Sequence, residues 1–490
     1  MSKKIFELRY IFGLKLKELR QEKGITYQEL SKRSGLSISY LSEIESGKKY
    51  PKGDKIFLLA ESLSTSYDEL VSLKVPKKLE PIIEVIESDF MKHFPLGEFG
   101  LNPQKVIEVV AQNPAKINAF ISTIIQVSRN HELTSSKFYY AALKTYQELH
   151  DNYFEELETL VEQMHLEFTE LAEVPFEPKV VEDVLLKIGV RTDMEVLGSH
   201  EELTNLRSLY HAKQRLLMLN AGLNKAQQSF LMGREIAFQW MRVKSRPLST
   251  PPYGEYTFEE ILNNYKASYF SSALLMPKRD MIPDIQAFAD EKTWNRELFL
   301  RLINRYEATP EMVMQRLTNI LPTYFKLKNL FFLRFLKTGG KYYLTKELHL
   351  SRQHSPHVNE LNEHYCRRWM SLQVIEDLES AGSTDLVANA HFSDFIDSKS
   401  EYFIMSIAFP NISNPSESIS VTIGLLNDAT LKKHLNFIDQ DHSIARKSVN
   451  VTCERCAEVD CTVRAAPALV HQRLQAERAA EAKIEKLLAT

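Results

Sequence analysis

Between residues 14 and 63 the local signals for two short helices and the turn joining them all agree, and no other stretch of the chain constrains its fold as tightly. Thr26-Tyr27-Gln28-Glu29 is a capping box: the Thr26 hydroxyl can accept the Glu29 backbone N–H while the Glu29 carboxylate accepts that of Thr26. The helix opened there runs past Leu30 and stops at Gly35, which can adopt the left-handed conformation needed just beyond a helix end. Ser37 caps the next helix, in which Leu41 and Ile44 share a face and Ser39, Tyr40, Ser42 and Glu43 point elsewhere. With Leu16, Leu19, Leu30, Leu59 and Leu63 as further core positions, a five-helix bundle containing a helix-turn-helix is expected over residues 1–75.

The stretch LRQEKGITYQELSKRSGLSISYLSEIESGKKYPKGDKIFLLAESL resembles the lambda-repressor-like, xenobiotic-response-element (XRE) family of regulators. The resemblance implies a duplex DNA operator as partner, with the second helix of the motif in the major groove. Charge agrees: residues 1–60 carry 13 Lys and Arg against 7 Asp and Glu, whereas the remainder carries 48 against 57. The basic surplus is thus confined to the segment that would meet phosphate. Gln28, Ser37, Ser39, Tyr40 and Ser42 are the expected groove or backbone contacts, with Lys48 and Lys49 on phosphate and Lys52 and Lys55 nearby.

At 490 residues the chain exceeds one core, and two to four domains are expected. No apolar run approaches the length of a membrane span and the first residues lack a signal-peptide core, so a cytoplasmic protein is expected. Two prolines bracketing a charged stretch mark 75–81 as a linker. Residues 82–175 read as a helical linker or dimerisation region. Its helices start at Asn102-Pro103 and Asn113-Pro114, and one long helix over 135–171 carries the stripe Phe138, Ala142, Tyr146, Leu149, Tyr153, Leu157, Leu160 and Met164 until Pro175 and Pro178 break it. Helices and two short strands are expected over 180–280. From about 330 the runs 331–335, 341–344, 402–408 and 418–425 read as strands, and 473–488 as a closing charged amphipathic helix. The fold class is therefore multidomain, mainly α with α+β parts: a peptidase-like α+β domain over 180–325 and an α+β sensor domain over 330–490.

Within 205–277, Phe230-Leu-Met-Gly-Arg-Glu-Ile-Ala-Phe238 is followed by Tyr269-Phe-Ser-Ser-Ala-Leu-Leu-Met-Pro277. The pair is similar to the zinc peptidase domain of the ImmA/IrrE kind, in which a helix bearing H-E-x-x-H precedes one ending in Leu-Leu-Met-Pro. Two histidines one turn apart plus a carboxylate would hold catalytic zinc, the intervening Glu acting as base. Here those positions are Arg234, Phe238 and Lys266, a set that cannot bind zinc, so Glu235 alone is no evidence of hydrolysis and no enzyme is expected. Arg234 and Lys266 would instead make the pocket positive, suited to a phosphate or carboxylate ligand.

All four cysteines fit one pattern: Cys453, Cys456 and Cys461 in C-x2-C-x4-C spacing, with Cys366 upstream. Three clustered thiols and one distant one suit iron–sulfur ligation, with zinc as the alternative and free or redox-paired thiols left open. The segment CERCAEVDCTVRAAPAL resembles the short-chain fatty acyl transcriptional regulators. Their architecture combines a lambda-repressor-like head, a metal-less peptidase-like middle and a cysteine-bearing C-terminal domain. The resemblance covers the chain except 82–180 and 345–400, which match poorly. It implies a homodimer controlling propionate-, acetate- or related acyl-CoA catabolic genes, with a CoA thioester as effector. The rival readings are an antitoxin-like or phage-type autorepressor and a peptidase-linked regulator of another repressor.

Overall fold

A computed structural model describes residues 3–72, 98–100, 135–254, 256–350, 363–382, 385–412 and 414–488. The linker expected at 75–81 and the helix starts at Asn102 and Asn113 lie outside these residues. The chain divides into two compact units, 1–142 and 143–490.

The first unit holds a five-helix head: α1 (Lys3–Glu22), α2 (Tyr27–Ser34), α3 (Ile38–Glu45), α4 (Gly53–Ser62) and α5 (Tyr67–Val71). Phe12, Leu16, Leu30, Leu36, Leu41, Ile44, Ile56, Leu59, Leu63 and Leu70 close one core. Gly13 lets α1 lie against the end of α3, because a Cβ there would stand 2.4 Å from the Ile44 carbonyl oxygen.

Helix α6 (Ser135–Leu149) runs into the second unit and is followed by α7 (Glu155–Glu167). The single long helix expected over 135–171 is therefore broken, and well before the prolines. Asp151 and Asn152 adopt φ of 50° and 53°, a left-handed conformation that Asn and Asp tolerate best among residues with a side chain. Tertiary bonds hold the break: the Asn152 amide donates to Thr318 Oγ1 at 2.8 Å and accepts from the Tyr265 hydroxyl at 2.5 Å, while Asn319 donates to the Asn152 carbonyl at 2.9 Å.

After α8 (Pro178–Lys187), opened by Pro178 in its first turn, come β1 (Arg191–Asp193), β2 (Ser208–His211), β3 (Leu216–Leu219), α9 (Lys225–Trp240), β4 (Ser249–Thr250) and α10 (Phe258–Leu275). The strands form a small sheet in the order β1-β3-β2-β4. Capping boxes at Asn224–Gln227 and Thr257–Glu260 start α9 and α10. The two helices cross closely at Gly233, where a Cβ would meet Ser271 Oγ at 2.5 Å. Helices α11 (Lys278–Ala289), α12 (Arg296–Asn304) and α13 (Pro310–Tyr324) complete the helical layer. Arg316 on α13 is wholly buried and bidentate to Glu158 on α7 at 2.6 and 3.0 Å, and the Tyr269 hydroxyl of α10 donates to the same carboxylate at 2.7 Å. Burial pushes the Glu158 carboxyl up, but the Arg316 guanidinium outweighs it and holds the group below its ordinary value.

The C-terminal part is a six-stranded sheet in the order β10-β7-β8-β9-β5-β6, built from β5 (Leu330–Thr338), β6 (Lys341–His349), β7 (Val387–Phe395), β8 (Ser400–Pro410), β9 (Ser418–Leu426) and β10 (Arg446–Val449). Only the β10–β7 pairing is parallel. Helix α14 (Met370–Ser380) covers one face over Phe331, Leu333, Tyr402 and Ile404. Trp294 and Phe437 pack on Phe403 from the other, at ring separations of 5.9 and 5.5 Å. Cover on both faces explains why β8 reads as a near-continuous apolar run, and why β9, although Ser418, Ser420 and Thr422 alternate with Ile419, Val421 and Ile423, is buried on both sides. Helix α15 (Leu469–Leu488) closes the chain with none of its residues buried. The multidomain α and α+β class expected from the sequence holds.

Candidate functional site

In the head, the Thr26–Glu29 capping box is formed, Gly35 takes φ 69°, and Ser37 Oγ accepts the Tyr40 amide. A buried knot unseen in the sequence locks α1, α2 and α3 together. Arg20 is bidentate to Glu45 at 2.6 and 2.9 Å, the Tyr27 hydroxyl donates to the same carboxylate at 2.6 Å, and the guanidinium sits 4.1 Å from the Tyr27 ring centre. Only Glu45's place one helical turn beyond Leu41 could have hinted at it. With α3 so held, Gln28, Ser37, Ser39, Ser42, Lys48 and Lys49 are exposed. Tyr40 is half-buried, its ring 5.7 Å from the Lys49 ammonium. Lys49 pairs with Glu43 at 2.6 Å, and the hydrogen bond raises the lysine above its ordinary value. Lys49 is thus tethered beside α3, whereas Lys48 forms no ion pair among the described residues.

In the peptidase-like cleft, the residues at the three expected metal-ligand positions do not converge. Arg234 is 7% exposed, donates to Thr250 Oγ1 at 3.0 Å and to the Asn264 side-chain oxygen, and leaves its Nε without a partner. Burial lowers this guanidinium to about 10, which still leaves it cationic at neutral pH. Lys266 does not join it. Two residues beyond Asn264 on α10, about 200° further round the helix, Lys266 reaches the Tyr146 ring, 5.9 Å from its centre. Arg234 and Lys266, expected to line one positive pocket, thus have different neighbours. Glu235 is bound by Arg246 at 2.7 and 2.9 Å and by Gln239 at 2.7 Å. The Arg246 guanidinium lies between Phe238 and Tyr210, 4.4 Å from each ring centre. The phenyl ring at the second histidine position thus helps hold a cation against the carboxylate that would otherwise act as base. Zinc does not fit here: two arginines occupy the place of its charge, and no lone pair faces inward from either histidine position.

In the cysteine loop, Tyr365 pairs with Thr452 in an antiparallel bridge, the Cys366 amide donates to the Val451 carbonyl at 3.2 Å, and the Cys453 amide donates to the His364 carbonyl at 2.8 Å. Glu363 takes Arg455 in a bidentate pair, 2.8 Å on each arm, and Glu454 takes His364 Nδ1 at 2.8 Å. Two segments nearly ninety residues apart are thereby clamped, with Cys366, Cys453 and Cys456 buried and Cys461 partly exposed. Burial pushes the Cys366 thiol up, and the proximity of Cys453 and Cys456 adds to it. The Ala465 amide donates to Cys453 Sγ at 3.4 Å, and the Arg464 guanidinium donates to the Cys453 and Cys456 carbonyls at 2.8 and 3.3 Å. Thiols and amide donors to sulfur are the chemistry a metal–thiolate site uses. Yet among the described residues no three His, Cys, Asp or Glu side chains are placed to hold one ion. The fold brings Cys366 close to Cys453 and Cys456.

Sequence reasoning missed a groove of about 700 Å³ beside α14, lined by Lys337, Tyr342, Arg367, Gln373, His391 and Lys447 among others. Lys337 is neutralised by Glu376 at 2.7 Å and Glu379 at 2.6 Å. Arg367 stacks 4.4 Å from the Tyr342 ring centre and Lys447 donates to Gln373 at 2.7 Å, and among the described residues neither forms an ion pair. His391 is wholly buried, bonded through Nε2 to Ser393 Oγ at 2.8 Å, with Nδ1 unpartnered. Burial drives its ring to about 3, so it is neutral at physiological pH.

Among known families, a helix-turn-helix family matches residues 16–70 and the IrrE N-terminal-like domain family matches 194–318. No curated protein matches the chain. A solved structure of a Mycobacterium tuberculosis transcriptional regulator is similar at 15% identity over 67% of this chain and 94% of that one, with a TM-score of 0.45. No described helix is long and apolar enough to cross a membrane. Residues 16–70 thus form a helix-turn-helix domain, the kind that binds DNA, and residues 194–318 an IrrE N-terminal-like domain.

Proposed function

We propose that this protein is a homodimeric, cytoplasmic transcription regulator that binds a pseudo-palindromic operator through residues 1–75 and changes its affinity when a CoA thioester or related acyl metabolite binds, controlling short-chain acyl-CoA catabolic genes. The observation that carries the ligand-responsive part is the groove beside α14. Its volume falls in the range of small-molecule sites, and Arg367 and Lys447, which form no ion pair among the described residues, are cations able to receive phosphate groups. This moves the effector site away from Arg234 and Lys266, which face different neighbours. Dimerisation is argued from recognition: one helix-turn-helix reads too few base pairs for useful specificity. The test is operator affinity of the full chain, by fluorescence anisotropy, with and without acetyl-, propionyl- and longer acyl-CoA, repeated on Arg367→Ala and Lys447→Ala. A wild-type protein whose affinity ignores every thioester refutes the effector reading. By reciprocity, operator DNA must shift thioester affinity by the same factor.

The IrrE N-terminal-like match favours a second reading, a peptidase-linked regulator. Against it stand Arg234 and Phe238 at the histidine positions and Glu235 held by Arg246. Zinc-dependent cleavage of a partner repressor would restore it.

For Cys366, Cys453, Cys456 and Cys461 we propose an iron–sulfur cluster, with zinc as the alternative, on the strength of three buried thiols gathered by clamped segments. Iron, sulfide and zinc analysis of anaerobically purified wild-type and Cys456→Ser protein decides between them, and wild-type protein free of all three refutes both.

A further inference from the structure

Helix α3 exposes one large apolar side chain, and neither the core nor helix propensity accounts for it. Ile38, first residue of the helix, is 45% exposed, whereas Leu41 and Ile44, which seal α3 onto the bundle, are fully buried. A β-branched residue in the first turn adds little to helix stability, and half an isoleucine left in water forfeits hydrophobic stabilisation. Its surroundings are those of a reading surface. Ser42 lies one turn on along the same face, Ser39 beside it, both exposed; Glu43 is drawn aside by Lys49 and Tyr40 is half-buried under that lysine. The residues at the start of a recognition helix are those that reach base edges, and the apolar group presented in the major groove is the C5-methyl of thymine.

We infer that Ile38 reads a thymine methyl group in each half-site, with Ser39 and Ser42 supplying the polar contacts around it. The inference rests on the reading of the head as a DNA-binding domain. It adds a specificity residue that charge and hydrogen-bond inventories overlook, because such contact needs neither.

The experiment is in vitro selection from random duplexes with full-length wild-type protein and with Ile38→Ala, followed by replacing thymine with deoxyuridine at the enriched positions. Deoxyuridine removes the methyl and leaves base pairing unchanged. The wild type should enrich thymine at one or two positions per half-site and lose about 3- to 10-fold in affinity on each uracil exchange there, roughly what burial of a methyl group supplies. Ile38→Ala should show no preference at those positions and bind thymine and uracil duplexes within about 1.5-fold of each other, with Ile38→Val intermediate. The inference is overturned if Ile38→Ala enriches the same motif with the same uracil penalty. It is equally overturned if Ile38→Ala and Ile38→Val both lose all binding along with their thermal transition, which would make Ile38 a structural residue. If the wild type itself enriches no sequence, the DNA-binding reading fails first, a result distinguishable from either.

Discussion

Replacing Arg246 by Ala should cost the second unit about 3–5 kcal/mol, because it strands the Glu235 carboxylate in a site where the two side chains are only 5% and 4% exposed. Among the described residues Gln239 would remain as the donor to the carboxylate, and the Phe238 ring can offer none. A domain of ordinary stability has about 5–15 kcal/mol in all, so the loss is large. It is best read by hydrogen exchange, since a chain with several domains has no single unfolding transition. Amides in α9 and α10 whose exchange requires opening of this site should exchange about two to four orders of magnitude faster, while those of α2 and α3 in the head keep their rates. Arg246→Lys should recover part of the loss, since an ammonium keeps the charge but neither the bidentate geometry nor the stacking. The double variant Glu235→Leu with Arg246→Met should approach wild-type stability or exceed it, because no charge is left buried. A loss below about 1 kcal/mol for Arg246→Ala, the size seen for solvated surface pairs, would refute the claim that this pair stands in for the metal centre.

Three further outcomes are expected. Restoring the histidines by Arg234→His with Phe238→His should yield neither stoichiometric zinc nor hydrolysis of a quenched peptide, because Arg246 still holds Glu235 and the α10 side chain that meets position 234 is the Asn264 amide, not a carboxylate; zinc-dependent turnover would contradict this. Lys48→Ala should weaken binding to all duplexes alike and reduce the slope of log affinity against log salt by about one, whereas a change of sequence preference would place Lys48 in the groove. Burial pushes the Glu347 carboxyl up, but hydrogen bonds from His349 and Lys144 and the Lys144 charge outweigh it and hold the group at about 2. Its ionised form thus stabilises the folded chain above the unfolded value near 4.5, a contribution lost as pH falls from there towards 2. Glu347→Gln should be less stable at pH 7 by up to about 3 kcal/mol, discounted for the part-exposed Lys144, with the difference closing across that window; urea unfolding at pH 7, 4 and 2.5 checks it.

The sequence by itself determined the head and the chemical character of the cleft. Short helices announce themselves through contacts three and four residues apart, so the Thr26 box, Gly35 and the Ser37 cap were legible without any tertiary partner. Arg234 and Phe238 in place of histidines were equally plain, because metal ligation is a property of side-chain type. What the tertiary structure alone decided depends on residues far apart in the chain. The helix expected over 135–171 had no local reason to break; Asn152 turns it because Thr318, Asn319 and Tyr265 wait to bind it. The sequence pointed to Lys266 to meet Arg234, but the close crossing at Gly233 sets the rotation of α10 so that Asn264 meets it instead. Arg246 was one basic residue among 61 until the fold placed it between two rings against Glu235. The groove beside α14 joins residues from 337 to 463, and its floor, β7, left no clear pattern because both faces of the strand are covered. Local order follows from neighbours in sequence, whereas pockets and buried charge follow from which distant groups share a desolvated volume, and only the packed chain settles that.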